Sequence, residues 1–599
     1  MQAASTIVEV FNHQVKRYVS RAALRVKRAG RYTDISWHEC GERVRQLSLG
    51  LIRLGLKRGE NVCLLSRNRP EFMFADLAIL SAGAVTVPIY ATSVADDVAY
   101  IVNHSEARLL IVDQRDQLDK IKSVEDRLFG LEKVIVFDSV AAQSDARWLS
   151  FDDVCRLGEE ADSATVQQRA QWQAAITPDD LATIIYTSGT TGQPKGVMLT
   201  HGNIMFVLRA VEEAFREYLS DQNVYLCYLP LAHALERMGL FAQLYMGSTT
   251  CFAESLETVG ENLVEVAPST LVGVPRFYEK IHARVMSAVE QSSPVAKKIF
   301  HWALGVGRAR RLAQESGRRV SPWLALQHAL AERLVLSKIK ARLGGRARYG
   351  ISGAAPLARD VAEFFGDIGL PLLEGYGATE TCGPATMNRP QSPRIGTVGV
   401  PLPGVQIKIA NDGEILIKGG GVFKGYFKDP DETARALRDG WYYSGDVGMI
   451  DEQGYLVITD RKKNLIITAG GKNIAPAKLE NFFKASEYIS EIIIIGDRRP
   501  YLTALITLNP PAIQQWAASQ GLDDTPYSEL VRHPQVRALL ERVVAQRNAQ
   551  LASFEQIKKF AILQNEFTIE DGLLTPTMKI KRKVAMERYA DVIEAMYRG

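Results

Sequence analysis

The sequence predicts an α/β protein. A large N-terminal domain of parallel-rich sheets with helices, including a small β subdomain, precedes a smaller α+β C-terminal domain. Three observations carry this. The chain has 599 residues, too many for one hydrophobic core. Helix-spaced apolar patterns alternate with short apolar runs through the first half, the rhythm of strand–helix–strand units. Near residue 395 that rhythm gives way to short alternating strands around polar turns.

The first elements lie within 36–95. WHECGERVRQLSLGLIRLGL spaces its apolar residues for a helix, and NVCLLS reads as a short buried strand. RPEFMFADLAILSAGA is a second helix with Pro70 and Glu71 near its start, and VTVPIY is the next strand. LLIVD, VIVFD and LATIIYT continue the alternation, so the sheet is expected to be largely parallel and covered by helices. After about 395, GVQIKIANDGEILIKG sets two strands around an Asn-Asp-Gly turn, and VGMIDEQGYLVITD forms a hairpin with Gly454 in its turn. This β subdomain spans about 395–459. Past Asp460 a basic stretch leads into mixed α/β sequence, which gives predicted domains at 1–459 and 460–599.

The region 297–348 stands apart. It carries thirteen Lys or Arg against two acids, Glu315 and Glu332, interleaved with Trp302, Leu304, Trp323, Leu324 and Leu326. It reads either as a packed amphipathic insertion with a solvated basic face or as a face that rests on anionic lipid.

Composition narrows the function classes. A net charge of +4 on this length indicates no whole-molecule attraction to nucleic acid. The six cysteines form no CxxC pair and read as reduced thiols, not as a disulfide framework or zinc site. No apolar core of signal-peptide length opens the chain, and no run of about 18 uncharged apolar residues is present. A cytoplasmic location is therefore expected, with the inner face of the membrane as a peripheral site if 297–348 meets lipid.

TSGTTGQPKG (187–196) follows the apolar run LATIIY. Glycines expose backbone N–H groups, hydroxyls donate to anionic oxygens and a lysine adds charge, so the loop suits a phosphate. It departs from the pattern G-x-x-x-x-G-K-[ST]: Pro194 replaces the second glycine and Gly196 the metal-binding hydroxyl. An ordinary nucleotide-hydrolysing loop is thus disfavoured.

YTSGTTGQPKGVMLTHGN resembles the signature of the AMP-forming adenylating superfamily, which includes acyl-CoA synthetases, luciferases and peptide-synthetase adenylation domains. Five further stretches follow in the same order. SGAAPL (352–357) and LLEGYGATET (372–381) resemble adenine-binding turns, and YYSGDVG (442–448) resembles the ribose-binding strand end. DRKKNLIITAGGKNIAPAKLE (460–480) resembles the interdomain hinge, and LTPTMKIKRK (574–583) the segment with the catalytic lysine. YLPLAHALER (228–237) and LVGVPRFYEKI (271–281) are similar to stretches of bacterial long-chain fatty acid–CoA ligases.

The resemblance implies ATP, coenzyme A and Mg2+, a long-chain fatty acid as substrate, and a mobile C-terminal domain. Thr187, Ser188, Gly189, Thr190, Thr191, Gly192 and Lys195 would hold the β- and γ-phosphates. Glu380, directly or through water, and Thr187 would hold the metal. Gly353, Ala354, Ala355, Glu374, Gly375, Tyr376, Gly377 and Thr379 would surround adenine and reach the α-phosphate. Asp446 and Arg461 would bind ribose. Lys579 would bridge the substrate carboxylate and the α-phosphate, with His233 at the junction of acyl pocket and nucleotide. Asp460 would be the hinge; Gly470, Gly471 and Lys472 would line the coenzyme A channel; Val274, Pro275 and Phe277 would wall the acyl pocket.

Two positions depart from common forms. Thr577 and Met578 stand where many relatives have Ser-Gly before the lysine, and Arg237 stands where relatives carry an aromatic gate. Two other functions stay open: an acyl-AMP ligase that loads a carrier protein, and a catalytically silent lipid- or nucleotide-binding relative.

Overall fold

The computed structural model describes residues 4–138, 147–187, 193–469, 472–523, 525–568, 571–575 and 579–598. Among these, the central sheet has eight strands in the order Gly425–Tyr426, Lys195–Thr200, Leu181–Thr187, Val85–Ile89, Asn61–Leu65, Leu109–Val112, Lys133–Val136 and Trp148–Ser150. From Leu181–Thr187 to Trp148–Ser150 all neighbours are parallel; the first two strands add an antiparallel edge. Val62, Leu64, Leu109 and Ile111 enter one core, while Cys63, Leu65, Leu110 and Val112 enter another. Both faces are covered, which is why these strands read as unbroken apolar runs.

A second sheet joins Leu271–Gly273, Gly350–Ser352 and Leu372–Ala378 in parallel, then Gly383–Met387 and Val400–Pro401 antiparallel. A third sets the hairpin Ala22–Arg28/Arg31–Ser36 beside Thr249–Phe252 and Val224–Cys227. An antiparallel sheet follows at Gln406–Ile409, Glu414–Lys418, Trp441–Ile450 and Leu456–Arg461, with Leu437–Arg438 at its edge. Its tight turns use left-handed glycines, Gly413 at φ 84° and Gly454 at φ 86°.

The C-terminal part has its own core. Ile489–Ile495, Leu502–Leu508 and Ile557–Ile562 form a sheet packed by helices that include Pro476–Lys484 and Pro534–Asn548. The protein is thus mixed α/β, with a large N-terminal and a small C-terminal domain.

The basic segment folds as helices Pro294–Glu315 and Pro322–Ala331, a π turn at Glu332–Leu336 and a short helix Ser337–Ala341. Its apolar residues divide. Trp302, Leu304 and Leu324 pack on the body beside Phe300, Phe364 and Phe365, whereas Trp323 and Leu326 face outward. The three inward residues are partly buried against that core. The six cysteines are free and buried. No helix among the described residues is long and apolar enough to cross a membrane.

Candidate active site

The phosphate-loop stem is a hairpin in which Thr187 lies opposite Lys195. Ser188, Gly189, Thr190, Thr191 and Gly192 lie outside the described residues. The Lys195 ammonium pairs with Glu432, at the start of the helix Pro430–Ala436, and sits 5.4 Å from the Tyr426 ring centroid. Tyr426 in turn donates its hydroxyl to Glu380 Oε1 at 2.8 Å. Glu380, far from Thr187 and Lys195 in sequence, thus shares one corner with their hairpin. Tyr426 and Glu432 were not singled out from sequence; the only sign was Asp429-Pro430 opening a helix, a local turn signal that says nothing of what the next glutamate meets.

Glu380 sits in a 3-10 turn, Thr379–Thr381, after the strand Leu372–Ala378. The turn is fixed by Thr381, whose hydroxyl accepts from Ala378 N–H at 2.8 Å, and by Phe423 N–H, which donates to the Glu380 carbonyl at 2.8 Å. Strand pairing explains the glycines here. A β-carbon on Gly377 would stand 1.9 Å from the Gly383 carbonyl oxygen, and one on Gly375 would stand 3.0 Å from Met387 Cγ. Glu374 is buried, and its carboxyl accepts from Leu357 N–H at 3.3 Å, tying this strand to the SGAAPL turn. Burial pushes that carboxyl up to about 7. In the same turn Gly353 is buried, Ala354 is left-handed at φ 70°, and Ala355 is exposed.

Asp446 is buried in the strand Trp441–Ile450. Its Oδ2 accepts from Tyr376 Oη at 2.8 Å and its Oδ1 from Arg461 Nε at 3.0 Å. Tyr376 is itself buried, so its hydroxyl serves to orient Asp446. Asp460 lies one residue before Arg461 and is buried; its oxygens accept from Arg461 N–H at 2.6 Å and Ala477 N–H at 3.1 Å. Burial raises its carboxyl above the usual range despite those donors.

Lys579 reaches this group from the C-terminal domain. A narrow turn presents it: Leu574 bridges Ile580, Thr575 N–H donates to the Lys579 carbonyl at 2.8 Å, and Lys579 N–H donates to Thr575 Oγ1 at 3.1 Å. The side chain is solvent-exposed, yet surrounding protein is the largest influence on its ammonium. Desolvation and then Arg461 lower its pKa, while Asp446 and Glu380 oppose them. His233 feels the same charge: burial first, then Lys579, lower its imidazole to about 4. His233 caps the helix Ala234–Met246, and its Nδ1 accepts from Leu235 N–H at 3.2 Å. A neutral imidazole accepting at Nδ1 carries its proton on Nε2, so it offers a donor there.

Val274, Pro275 and Phe277 start the helix Pro275–Glu290, where Phe277 packs 5.2 Å from Tyr228 and 5.1 Å from Tyr278 between ring centroids. They join the nucleotide turns through the second sheet, where Gly353 N–H donates to the Gly273 carbonyl at 3.3 Å. Arg237 is 1% exposed; its Nη2 meets Asp76 Oδ1 at 2.6 Å and its Nη1 donates to Thr183 Oγ1 at 2.8 Å. A buried ion pair thus occupies the position of the aromatic gate. Lys472 is exposed, 5.7 Å from the Phe554 ring centroid, and Gly470 and Gly471 lie outside the described residues.

A family described as AMP-binding enzyme matches residues 11–427, and one described as AMP-binding enzyme C-terminal domain matches 463–599. Among curated proteins, long-chain-fatty-acid–CoA ligase FadD15 of Mycobacterium tuberculosis is 37% identical over 95% of this chain and 93% of its own. Long-chain-fatty-acid–CoA ligase ACSBG2 of Xenopus laevis is 34% identical over 99% of this chain and 84% of its own. Among solved structures, the adenylation domain of a carboxylate reductase from Mycobacterium chelonae superposes with a TM-score of 0.76 at 23% identity, covering 100% of this chain and 92% of that one. ATP-bound MatB from Rhodopseudomonas palustris gives 0.70 at 24% identity, covering 98% and 99%.

Proposed function

This chain belongs to the AMP-binding enzyme family, and from that premise we propose how its residues activate a long-chain fatty acid with ATP and pass it to coenzyme A. Curated relatives bearing the name long-chain-fatty-acid–CoA ligase align over nearly the whole chain, and the reaction is read as theirs. The observation that supports the residue roles is that Lys579, from the C-terminal part of the chain, lies close enough to Asp446, Glu380, Arg461 and His233 for their charges to act on one another.

A carboxylate is a poor electrophile because it is already an anion. Its oxygen attacks the α-phosphorus of ATP, the bond to the β-phosphate oxygen breaks, and pyrophosphate leaves. The coenzyme A thiol then attacks the acyl-adenylate carbonyl, loses its proton, and AMP leaves with the electron pair. The first step brings two anions together, so oriented positive charge lowers its barrier most. Lys579 bridges carboxylate and α-phosphate, with the His233 Nε2–H beside it. Lys195 exchanges Glu432 for the departing phosphates, helped by Thr187 and the loop residues Ser188 to Gly192. Asp446, held by Tyr376 and Arg461, accepts from ribose hydroxyls, and the 353–355 and 374–379 turns enclose adenine.

The donor set suits a hard cation: the Glu380 carboxylate and the Thr187 hydroxyl lie in one corner with Lys195. Mg2+ held there would neutralise charge on the phosphate oxygens. Asp460 is the proposed hinge between domains 1–459 and 460–599, and Gly470, Gly471 and Lys472 line the thiol channel after the C-terminal domain turns. Val274, Pro275 and Phe277 wall the acyl chain. We also place the enzyme peripherally on the inner face of an anionic membrane, through the basic segment 297–348.

Pyrophosphate release against a ladder of fatty acids, with and without coenzyme A, tests the reading. Release should peak with long acids, and AMP and acyl-CoA should form only when coenzyme A is present. Acyl-adenylate accumulating without thioester would favour a carrier-protein ligase, and no pyrophosphate at all would mean a silent relative.

A further inference from the structure

The helix Pro322–Ala331 and the π turn after it bury one side and bare another. Ala331 and Leu336 enter the core that also holds Phe300, Phe365 and Tyr278, with Phe277 packed against it. Outward stand Trp323, 66% exposed, Leu326, 62%, Leu330, 49%, and Leu334, 41%. Their spacing of three, four and four residues puts them on one stripe. A single exposed leucine needs no explanation, but four large apolar side chains in a row do.

The cations of this segment sort into two groups. Arg311 meets Asp367 and Glu315, Lys340 meets Glu332, Lys297 meets Glu290, and Arg310 meets His328. Arg318, Arg319, Arg333, Lys338 and Arg342 are exposed, and among the described residues none has a carboxylate within ion-pair distance. These five flank the stripe in sequence, two before it and three within or after it. An apolar stripe ringed by unpaired cations is the pattern of a helix lying in a bilayer interface, with an amphipathic tryptophan at its end.

We propose that this stripe inserts into the headgroup–acyl boundary of an anionic bilayer, while Arg318, Arg319, Arg333, Lys338 and Arg342 contact lipid phosphates. This rests on the peripheral membrane contact proposed above and deepens it. Attraction by cations alone would hold the protein at the surface and vanish in salt; insertion adds a salt-resistant part. Charge argues against a second copy as the occupant, because a two-fold contact through the stripe would set like cations against like. The core under the stripe, which Ala331 and Leu336 enter, is also the one against which Phe277 of the proposed acyl wall packs.

The test is co-sedimentation of the full chain with vesicles of phosphatidylcholine alone or mixed with phosphatidylglycerol, at low and high salt. The wild type should bind the anionic vesicles and keep part of that binding in high salt. Trp323→Ser/Leu326→Ser/Leu330→Ser should weaken vesicle binding about tenfold or more and abolish the salt-resistant part. Arg318→Glu/Arg319→Glu/Arg333→Glu should lose the salt-sensitive part. Both variants should keep wild-type circular dichroism and turnover of a short, water-soluble fatty acid. If the wild type ignores anionic vesicles, the membrane reading and the insertion fail together. If the serine variant binds as the wild type does, insertion alone is overturned. If the wild type is a dimer and the serine variant a monomer with unchanged vesicle binding, the stripe is a self-contact and the proposal is wrong.

Discussion

At the residue scale, the proposed mechanism separates the two half-reactions by one ammonium: it gives Lys579 the task of joining carboxylate and phosphate in the first step and no task in the second. Lys579→Ala should slow adenylate formation by about 10²–10³, the usual cost of a lost charge-stabilising group. Thioester formation from supplied acyl-adenylate should remain, and an equal loss in both assays would refute the assignment. The histidines set a pH dependence of a different kind. His201 and His233 are held at about 4 by burial, below the ordinary 6.5. The unfolded chain therefore binds more protons between those values, so stability is full above pH 6.5 and falls as pH drops toward 4. For His201, 1% exposed, the loss should be on the order of 2–3 kcal/mol. The urea midpoint of wild type against His201→Gln measures it; parallel pH curves would contradict the shift. Lys579, Glu380, Asp446 and Arg461 could be proposed from sequence because each sits in a contiguous motif, and the structure brings their charges within reach of one another. Tyr426 and Glu432 were not, since each gains its contacts from a partner outside its own stretch, Glu380 for the tyrosine and Lys195 for the glutamate.

The elements show the same limit. Strands buried on both faces announced themselves as unbroken apolar runs. The hairpin Ala22–Arg28/Arg31–Ser36 did not, because one side of it is wet and its sequence, AALRVKR and RYTDIS, is diluted with charge. Nor could sequence say that Gly377 is required by the approach of the neighbouring strand. Arg237 is the clearest case. From its motif it was a departure from the aromatic gate of relatives; in the fold it fastens the helix Ala234–Met246, which begins beside His233, to the helix Pro70–Ser81 through Asp76 and to the strand Leu181–Thr187 through Thr183. Arg237→Met would leave the Asp76 carboxylate buried without its cation and should cost about 3–5 kcal/mol. Asp76→Leu together with Arg237→Met removes both charges and should recover most of that loss. Thermal midpoints of the single and double variants read the coupling. A double variant no more stable than Arg237→Met would show that the pair does something other than balance charge.

Over the whole molecule, the proposed hinge makes the orientation of the C-terminal domain decide which half-reaction the site performs. In this structure Lys579 feels the charges of Arg461, Asp446 and Glu380, the arrangement that the proposed mechanism assigns to adenylate formation. The residues just past Asp460 are fastened in the same sense. Arg461 holds Asp446 at 3.0 Å. The Lys462 ammonium meets Asp412 Oδ2 at 2.6 Å and Glu414 Oε2 at 2.9 Å, and the Lys462 backbone N–H donates to the Gly445 carbonyl at 2.8 Å. A change of backbone angles at Asp460 would carry Arg461 and Lys462 away from these partners, so the contacts favour one side of the swing. Asp412 is half exposed, and an exposed pair contributes at most about 1 kcal/mol. Glu414, with a side chain 9% exposed, loses more when its cation goes. Lys462→Met should therefore shift the domain balance by about 1 kcal/mol, slowing pyrophosphate exchange roughly three- to tenfold. Transfer of supplied acyl-adenylate to coenzyme A should hold steady or quicken, because the released domain visits the thiol-accepting orientation more often. The two half-reactions measured separately on the same preparation decide it: if both slow by the same factor, Lys462 merely supports the fold and is no latch on the hinge.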